Sequence, residues 1–331
     1  MRAVRFLSLL LTLPLTSLAQ AWLTPQGDGT VSVLYQDDIS RLHSFDDGRT
    51  KDRGHTYSQG LYVNADFSLT DRLAVQVGLP YIDAKYVGPF PHLLVRGEAN
   101  TAVAVDNGSY HGGFQDFRFN LRYALTQRAL KIVPFVAAVL PSHAYPAFGH
   151  AAIGINEHEY RVGVNVGRRL NPILPKAFVQ GQYAFGFTPE VAAGIAPKRS
   201  YGELQLGYLL NRHISFQGSS VLTYSHNGID FDYNLFPNNL TEEQYLNHDR
   251  ISRTKLLDAG GSFSYLVNQS TNFFVSVGHS FYGTNGHLRY LVTTVGFTKA
   301  FRTGLSAEKL SVVEALPDAN KAMTCTCAKS R

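Results

Sequence analysis

Cysteine is nearly absent: the only two, Cys325 and Cys327, stand among the last seven residues of a 331-residue chain. The fold therefore uses no disulfide framework. Beyond the N-terminal segment no window approaches ~18 consecutive apolar residues, so no transmembrane helix is expected. A basic stripe interleaved with aromatics is missing too. The net charge of +5 comes from scattered Lys and Arg, which argues against a nucleic-acid partner. Chemistry-bearing motifs are equally thin. Glu157-His158-Glu159 is not a zinc-protease motif, because no His-Glu-x-x-His occurs. Gly112-Gly113 precedes a strand pattern rather than a helix, so no phosphate cradle is indicated. No cofactor is expected.

What is present is alternation. In Phe114–Leu140, Phe117, Phe119, Leu121, Tyr123 and Leu125 fall on every second residue, with Asp116, Arg118, Asn120, Arg122 and Ala124 between them. That period is a β-strand's, whose successive side chains point to opposite faces. Thr126-Gln127-Arg128 turns the chain into a second run with Val133, Phe135, Ala137 and Val139 on one parity. The hairpin is expected to present one apolar and one charged face. A soluble sandwich would bury the apolar face; a membrane barrel would turn it to lipid and the polar face to a lumen.

The first residues bear on that choice. Met1–Ala21 reads as a secretory signal: Arg2 and Arg5, a short apolar core from Phe6 to Leu15, and the small-x-small site Ala19-Gln20-Ala21. Trp22 would then begin the mature chain, and no Cys follows the site to carry a lipid anchor.

Strand-like runs fill the chain to Phe301. They are Thr30–Arg41, Thr56–Leu69, Arg72–Tyr86, the two of the hairpin, Asn156–Leu170, Lys176–Phe187, Ser200–Leu210, His213–Ser225, Ile251–Val267, Asn272–Tyr282 and Leu288–Phe301. A charged loop is expected up to His55. Connections after even-numbered runs are short. Those after odd-numbered runs are longer, except the five-residue Gly283–His287. Runs of ~10–15 residues can cross a bilayer when tilted, whereas sandwich strands are more often ~5–6. The expected fold is all-β, an antiparallel transmembrane β-barrel of about 12 strands, with short periplasmic turns and longer extracellular loops. Residues 1–21 would be the signal peptide, 22–301 the barrel and 302–331 a polar periplasmic tail. The tail carries a possible helical turn at Leu310–Leu316 and two thiols too isolated to form a metal site.

If apolar parity marks lipid, Asp66, Asp116, Arg118, Arg122, Arg161, Arg169, Glu203 and Asp258 point inward. They would line a polar conduit, or fill a closed interior with ion pairs. Asp66, Glu203 and Asp258 are the acids expected to neutralise the Arg118/Arg122 column. In the loop Asn227–Arg250, Thr241 and Gln244 have capping-box spacing, which predicts a short surface helix able to act as a lid. Enzymatic pairs fail on geometry. Ser225-His226 and Ser142-His143 are adjacent, and neighbours in a strand face opposite sides and cannot act as nucleophile and base. Tyr224-Ser225-His226-Asn227-Gly228 has the letters of the outer-membrane phospholipase run in the wrong order.

Gly112-Gly113-Phe114-Gln115-Asp116 leading into strand four, and Gly78-Leu79-Pro80-Tyr81 ending strand three, resemble the family grouped as "MetA-pathway of phenol degradation". The resemblance covers most of the mature chain in pattern and these two places in letters. It implies a non-enzymatic barrel in the Gram-negative outer membrane that passes small molecules, aromatic or apolar ones among them. The alternative function is a structural or surface-interaction barrel, with a lipid hydrolase third. The partners implied are outer-membrane lipid, the barrel-assembly machinery and a small solute.

Overall fold

The computed structural model describes residues 21–88, 94–95, 98–99 and 105–303. The signal segment before Ala21, Leu310–Leu316 and the Cys325/Cys327 tail lie outside the described residues. Twelve long strands alternate in direction. They are β1 (Asp28–Ser44), β2 (Thr50–Ser68), β3 (Leu73–Val87), β4 in two pieces (His111–Phe114 and Phe117–Tyr123), β5 (Leu130–Leu140) and β6 (Glu159–Arg169). β7 (Ala177–Phe187), β8 (Lys198–Leu209), β9 (Ile214–Ser225), β10 (Lys255–Asn268), β11 (Thr271–Thr284) and β12 (Gly286–Arg302) complete the set. Each pairs with the next in antiparallel register, both pieces of β4 pair with β3, and β12 pairs with β1. The sheet is a closed barrel, so each strand has a hydrogen-bonded neighbour on both sides.

The strands run from 11 residues in β5 to 19 in β2. At ~3.3 Å per residue even the shortest is long enough to cross a hydrocarbon core with tilt. Their outer face is the row of large apolar residues read from the sequence: Leu61, Leu79, Leu121, Val162, Leu204 and Leu222 are all exposed. Exposed aromatics gather toward both rims. Tyr123, Tyr208 and Tyr265 stand at the short-turn end, and Tyr160, Tyr224 and Tyr282 at the other. An apolar band between two aromatic girdles is the outer surface of a membrane barrel. Lys299, which interrupts the outward row of β12, lies at the turn end, where its Nζ donates to Ser270 Oγ (2.8 Å) and Thr271 Oγ1 (3.1 Å).

The structure corrects three expectations. The segment before His55 is not a loop: β2 begins at Thr50, leaving only Phe45–Arg49 between the first two strands. The last strand does not end at Phe301: β12 runs one residue further, to Arg302. The hairpin does not keep one apolar face. Register sets Leu121 opposite Val136 and Arg122 opposite Phe135, so Val133 and Phe135 face inward (1% and 5% exposed) and Val136 faces out (54%). β5 is apolar on both faces, and parity alone cannot orient such a strand.

The connections are short at one end, the turn end. At the opposite end four are long, spanning 88–110, 141–158, 188–197 and 226–254. β11 and β12 are joined there by Asn285 alone, which adopts φ 53°, the left-handed region that Asn tolerates.

Candidate channel: the lumen and its cap

The inward rows of the strands are polar and meet in ion pairs. Arg122 on β4 pairs with Asp66 on β2, both side chains largely buried. Arg289 on β12 reaches Asp38 (3.2 Å) on β1 and Asp258 (3.1 Å) on β10, and Ser280 donates to Asp258 (2.6 Å). Near the loop end Arg199 on β8 binds Glu157 (2.8 Å) and Glu159 (3.1 Å) through Nη1 and the carbonyl of Arg250 (2.6 Å) through Nη2. Glu159 also accepts from Arg161 and from the Tyr201 hydroxyl (2.8 Å). Burial pushes the Glu157 carboxyl above its ordinary range, against the pull of Arg199 and Arg250. Charges taken this far from water persist only when paired like this.

The eight candidate residues therefore do not form one column. Asp66 meets Arg122 as expected. Asp258 serves Arg289 instead, and Glu203 accepts from Gln205. Asp116 sits in the break of β4 and accepts from the Tyr145 hydroxyl. Arg161 joins the Glu159 cluster, with its guanidinium 4.0 Å from the centroid of the Tyr201 ring. Arg169 lies exposed at the turn-end rim of β6. Arg118, like the rim residue Arg169, makes no hydrogen bond or ion pair among the described residues, and it faces a cavity of about 380 Å³ in the middle of the barrel.

Sequence reasoning missed Arg289, Asp38, Arg199 and the two glutamates. A signal existed for the last pair: Glu157, Glu159 and Arg161 share one parity, the last two inward in β6 and Glu157 just before it.

At the loop end the connections pack into a cap. Phe45, Phe148, Ala192, Ile229, Phe231, Leu240, Tyr245 and Ile251, drawn from four different connections, form one buried apolar cluster. The predicted helix is there, over Glu242–Leu246, with Thr241 and Gln244 closing a capping box and Tyr245 buried in the cluster. Burial lifts the Tyr245 hydroxyl to about 12. Four imidazoles lie beneath. His43 is ringed by Phe45, Phe231, Phe236 and His287 (centroids 4.9–5.6 Å), and neither of its nitrogens has a hydrogen-bond partner among the described residues. His150, from the β5–β6 connection, stacks on Tyr86 of β3 (4.6 Å) and meets His287 of β12 (4.8 Å). β5 and β12 lie on roughly opposite sides of the ring of strands, so this connection crosses the mouth. Phe148 then touches Tyr245 and His248 of the β9–β10 connection. Among the described residues no group of three or more His, Cys, Asp or Glu is placed to hold a metal ion.

The turn end is partly filled as well. Trp22 packs edge-on against Phe178 (5.8 Å), and both Ala21 and Trp22 crowd the space over Gly167. Any side chain at Gly207 would collide with the Phe178 ring.

Ser142 corrects the adjacency argument. It lies beyond the end of β5, in irregular backbone, and its Oγ does meet His143 Nδ1 (2.8 Å). The same hydroxyl donates to the Phe114 carbonyl (2.6 Å), so its proton is committed there and the imidazole can only donate to it. That is the reverse of an activated nucleophile. The Ser225 hydroxyl has no hydrogen-bond partner among the described residues, and His226 meets Ser200 (2.8 Å) instead.

Replacing Arg122 by Ala would leave the Asp66 carboxylate uncompensated inside the barrel. Ion selectivity should shift toward cations, read as a change of reversal potential under a salt gradient in planar bilayers. An unchanged value would mean that this pair lies off the ion path.

No family model matches the chain, and no curated protein matches it. Among solved structures it is similar to the COG4313 outer membrane channel from Pseudomonas putida F1. The TM-score is 0.64 at 13% identity, covering 86% of this chain and 99% of that one. The NanC porin (TM-score 0.48, 9% identity, 81% and 98% covered) and the CymD monoaromatic hydrocarbon channel (0.40, 12%, 85% and 90%) are looser matches. At 13% identity the likeness to the first of these carries the fold alone: a closed twelve-stranded barrel of the outer-membrane type.

Proposed function

We propose that the protein is a capped passive channel of the Gram-negative outer membrane for small solutes, in keeping with the family it resembles. The observation that carries this reading is the central cavity. Its wall is polar and charged, it lies inside a barrel whose outside suits lipid, and it is covered at one end by loops rather than by barrel strands. Barrels of eight strands are filled by side chains and those of sixteen hold open water. A twelve-stranded barrel with residual central space fits a path that side chains and loops regulate. A barrel with a purely structural role has no use for such a cavity. An aromatic or apolar solute has some support in Phe135, Val139 and Val221 on the cavity wall, beside more numerous polar groups. Catalysis is disfavoured by the committed proton of Ser142. On this reading lipid surrounds the barrel and the barrel-assembly machinery inserts it.

The purified protein should run at a different apparent mass on gels before and after boiling, and should give discrete conductance steps in planar bilayers. A boiling-insensitive band together with a soluble periplasmic fraction would overturn the membrane reading. Phospholipid hydrolysis abolished by Ser225→Ala would overturn the non-enzymatic one.

A further inference from the structure

We infer that the mid-barrel cavity is a binding site for a small organic carboxylate, with Arg118 as its anion-recognising group. The inference deepens the channel reading by naming a solute class, and rests on it for biological meaning.

Arginines line this cavity from three sides: Arg118 on β4, Arg161 on β6 and Arg289 on β12. Two of them are already engaged. Arg289 is held between Asp38 and Asp258, and Arg161 by Glu159 and the face of Tyr201. Arg118 differs. Among the described residues no carboxylate or hydrogen-bond acceptor meets its guanidinium, whereas the other two arginines of the cavity wall are ion-paired. Arg118 is exposed to the lumen rather than sealed in the wall, so its guanidinium is open to water or an anion. Its planar fork of N–H donors matches a carboxylate with two parallel bonds.

The sequence makes room for this side chain. Gly78 faces Arg118 across the β3–β4 ladder, and a Cβ there would stand 2.9 Å from Asn64 Oδ1, 3.4 Å from Arg118 Cβ and 3.8 Å from Arg118 Cδ. A methyl at this position would crowd the Asn64 amide and lie against the arginine stem. The rest of the cavity divides by chemistry. Gln36, Tyr62, Asn64 and Gln182 offer neutral hydrogen-bonding groups, while Leu34, Phe135, Val139 and Val221 are apolar. Glu203 is the only acidic residue on the wall among the described residues, and it accepts from Gln205. The occupant that satisfies this wall has one carboxylate and an apolar body. A cavity of about 380 Å³ lies at the small end of the ~300–1,000 Å³ usual for small-molecule sites.

The test is equilibrium binding to the refolded full-length barrel in detergent, which does not depend on conduction. Benzoate and benzamide serve as probes of equal shape that differ in charge. Benzoate should bind in preference to benzamide, and Arg118→Gln should weaken benzoate by about tenfold or more while leaving benzamide unchanged. Arg118→Lys, which keeps the charge and loses the fork, should fall between. Heat-modifiable gel mobility of each variant verifies that it has folded. Equal affinity for both probes in the wild type, or an undiminished benzoate affinity in folded Arg118→Gln, would overturn the site. Conductance is recorded separately. A barrel that conducts but does not prefer benzoate sinks this inference alone, and one that binds benzoate but never conducts sinks the channel reading.

Discussion

Replacing Asp232–Asn247 with a short Gly-Ser linker should raise single-channel conductance severalfold, because it removes what covers the mouth. The segment contains Tyr233, Phe236, Leu240 and Tyr245, and Phe231 stands at its border. Of these, Leu240, Tyr245 and Phe231 belong to the buried cluster, with Tyr233 and Phe236 packed against it. It also holds the capped helix Glu242–Leu246. Without these rings, Phe148 and the connection that carries His150 across the mouth lose the surface they rest on. The barrel itself should survive. The strands on either side, β9 and β10, pair directly over eleven register positions from Ile214↔Tyr265 to Tyr224↔Lys255. Shortening a surface loop changes closure entropy only slightly. Heat-modifiable mobility should therefore persist while the current rises. Unchanged conductance in a folded variant would mean that the cap does not obstruct the path.

Arg199→Ala should be among the most destabilising single substitutions in the protein, by about 3–5 kcal/mol. Its side chain is 8% exposed, and those of Glu157 and Glu159 are 1% and 4% exposed. Truncation leaves two carboxylates facing each other in a dry site, with only Arg161 and the more distant Arg250 to offset them. It also frees the Arg250 carbonyl that Nη2 holds, so the β9–β10 connection loses one of its ties to the barrel wall. The measurement is the urea midpoint of the barrel in lipid vesicles. Arg253→Ala is the control. Its partner Asp230 is a third exposed and Arg253 itself nearly half, so losing that pair should cost less than about 1 kcal/mol. Equal shifts for the two variants would show that burial of the Arg199 cluster contributes nothing special.

The barrel was legible in the sequence because a membrane wall repeats one rule along every strand. Leu61, Val63, Ala65 and Phe67 outside, with Tyr62, Asn64 and Asp66 inside, set both the strand and its orientation without any knowledge of neighbours. β5 was not legible in the same way, since Val133 and Phe135 inside and Val136 outside are equally apolar. Only its register against β4 orients it. Pairing across the lumen was mostly hidden for a related reason. Which acid reaches which arginine depends on ring position and stagger, so Asp258 serves Arg289 rather than the β4 arginines. Glu157, Glu159 and Arg161 could have been read as an inward acidic-basic row. Arg199, which joins them from β8, could not. The capped helix was readable from Thr241 and Gln244 because a capping box is local. The His43, His150, His248 and His287 layer comes from four separate segments and leaves no local mark.

The most direct test of the account is thiol modification of neighbouring positions on β5. In a Cys325→Ser/Cys327→Ser background with the shortened β9–β10 loop, Ala137→Cys and Val136→Cys are each exposed to a charged methanethiosulfonate reagent during single-channel recording. Ala137 lines the central cavity, whereas Val136 stands on the outer face. The account predicts a stepwise loss of current at position 137 and no response at position 136. Current that is indifferent to modification at 137, or that falls on modification at 136, would contradict a solute path through this lumen.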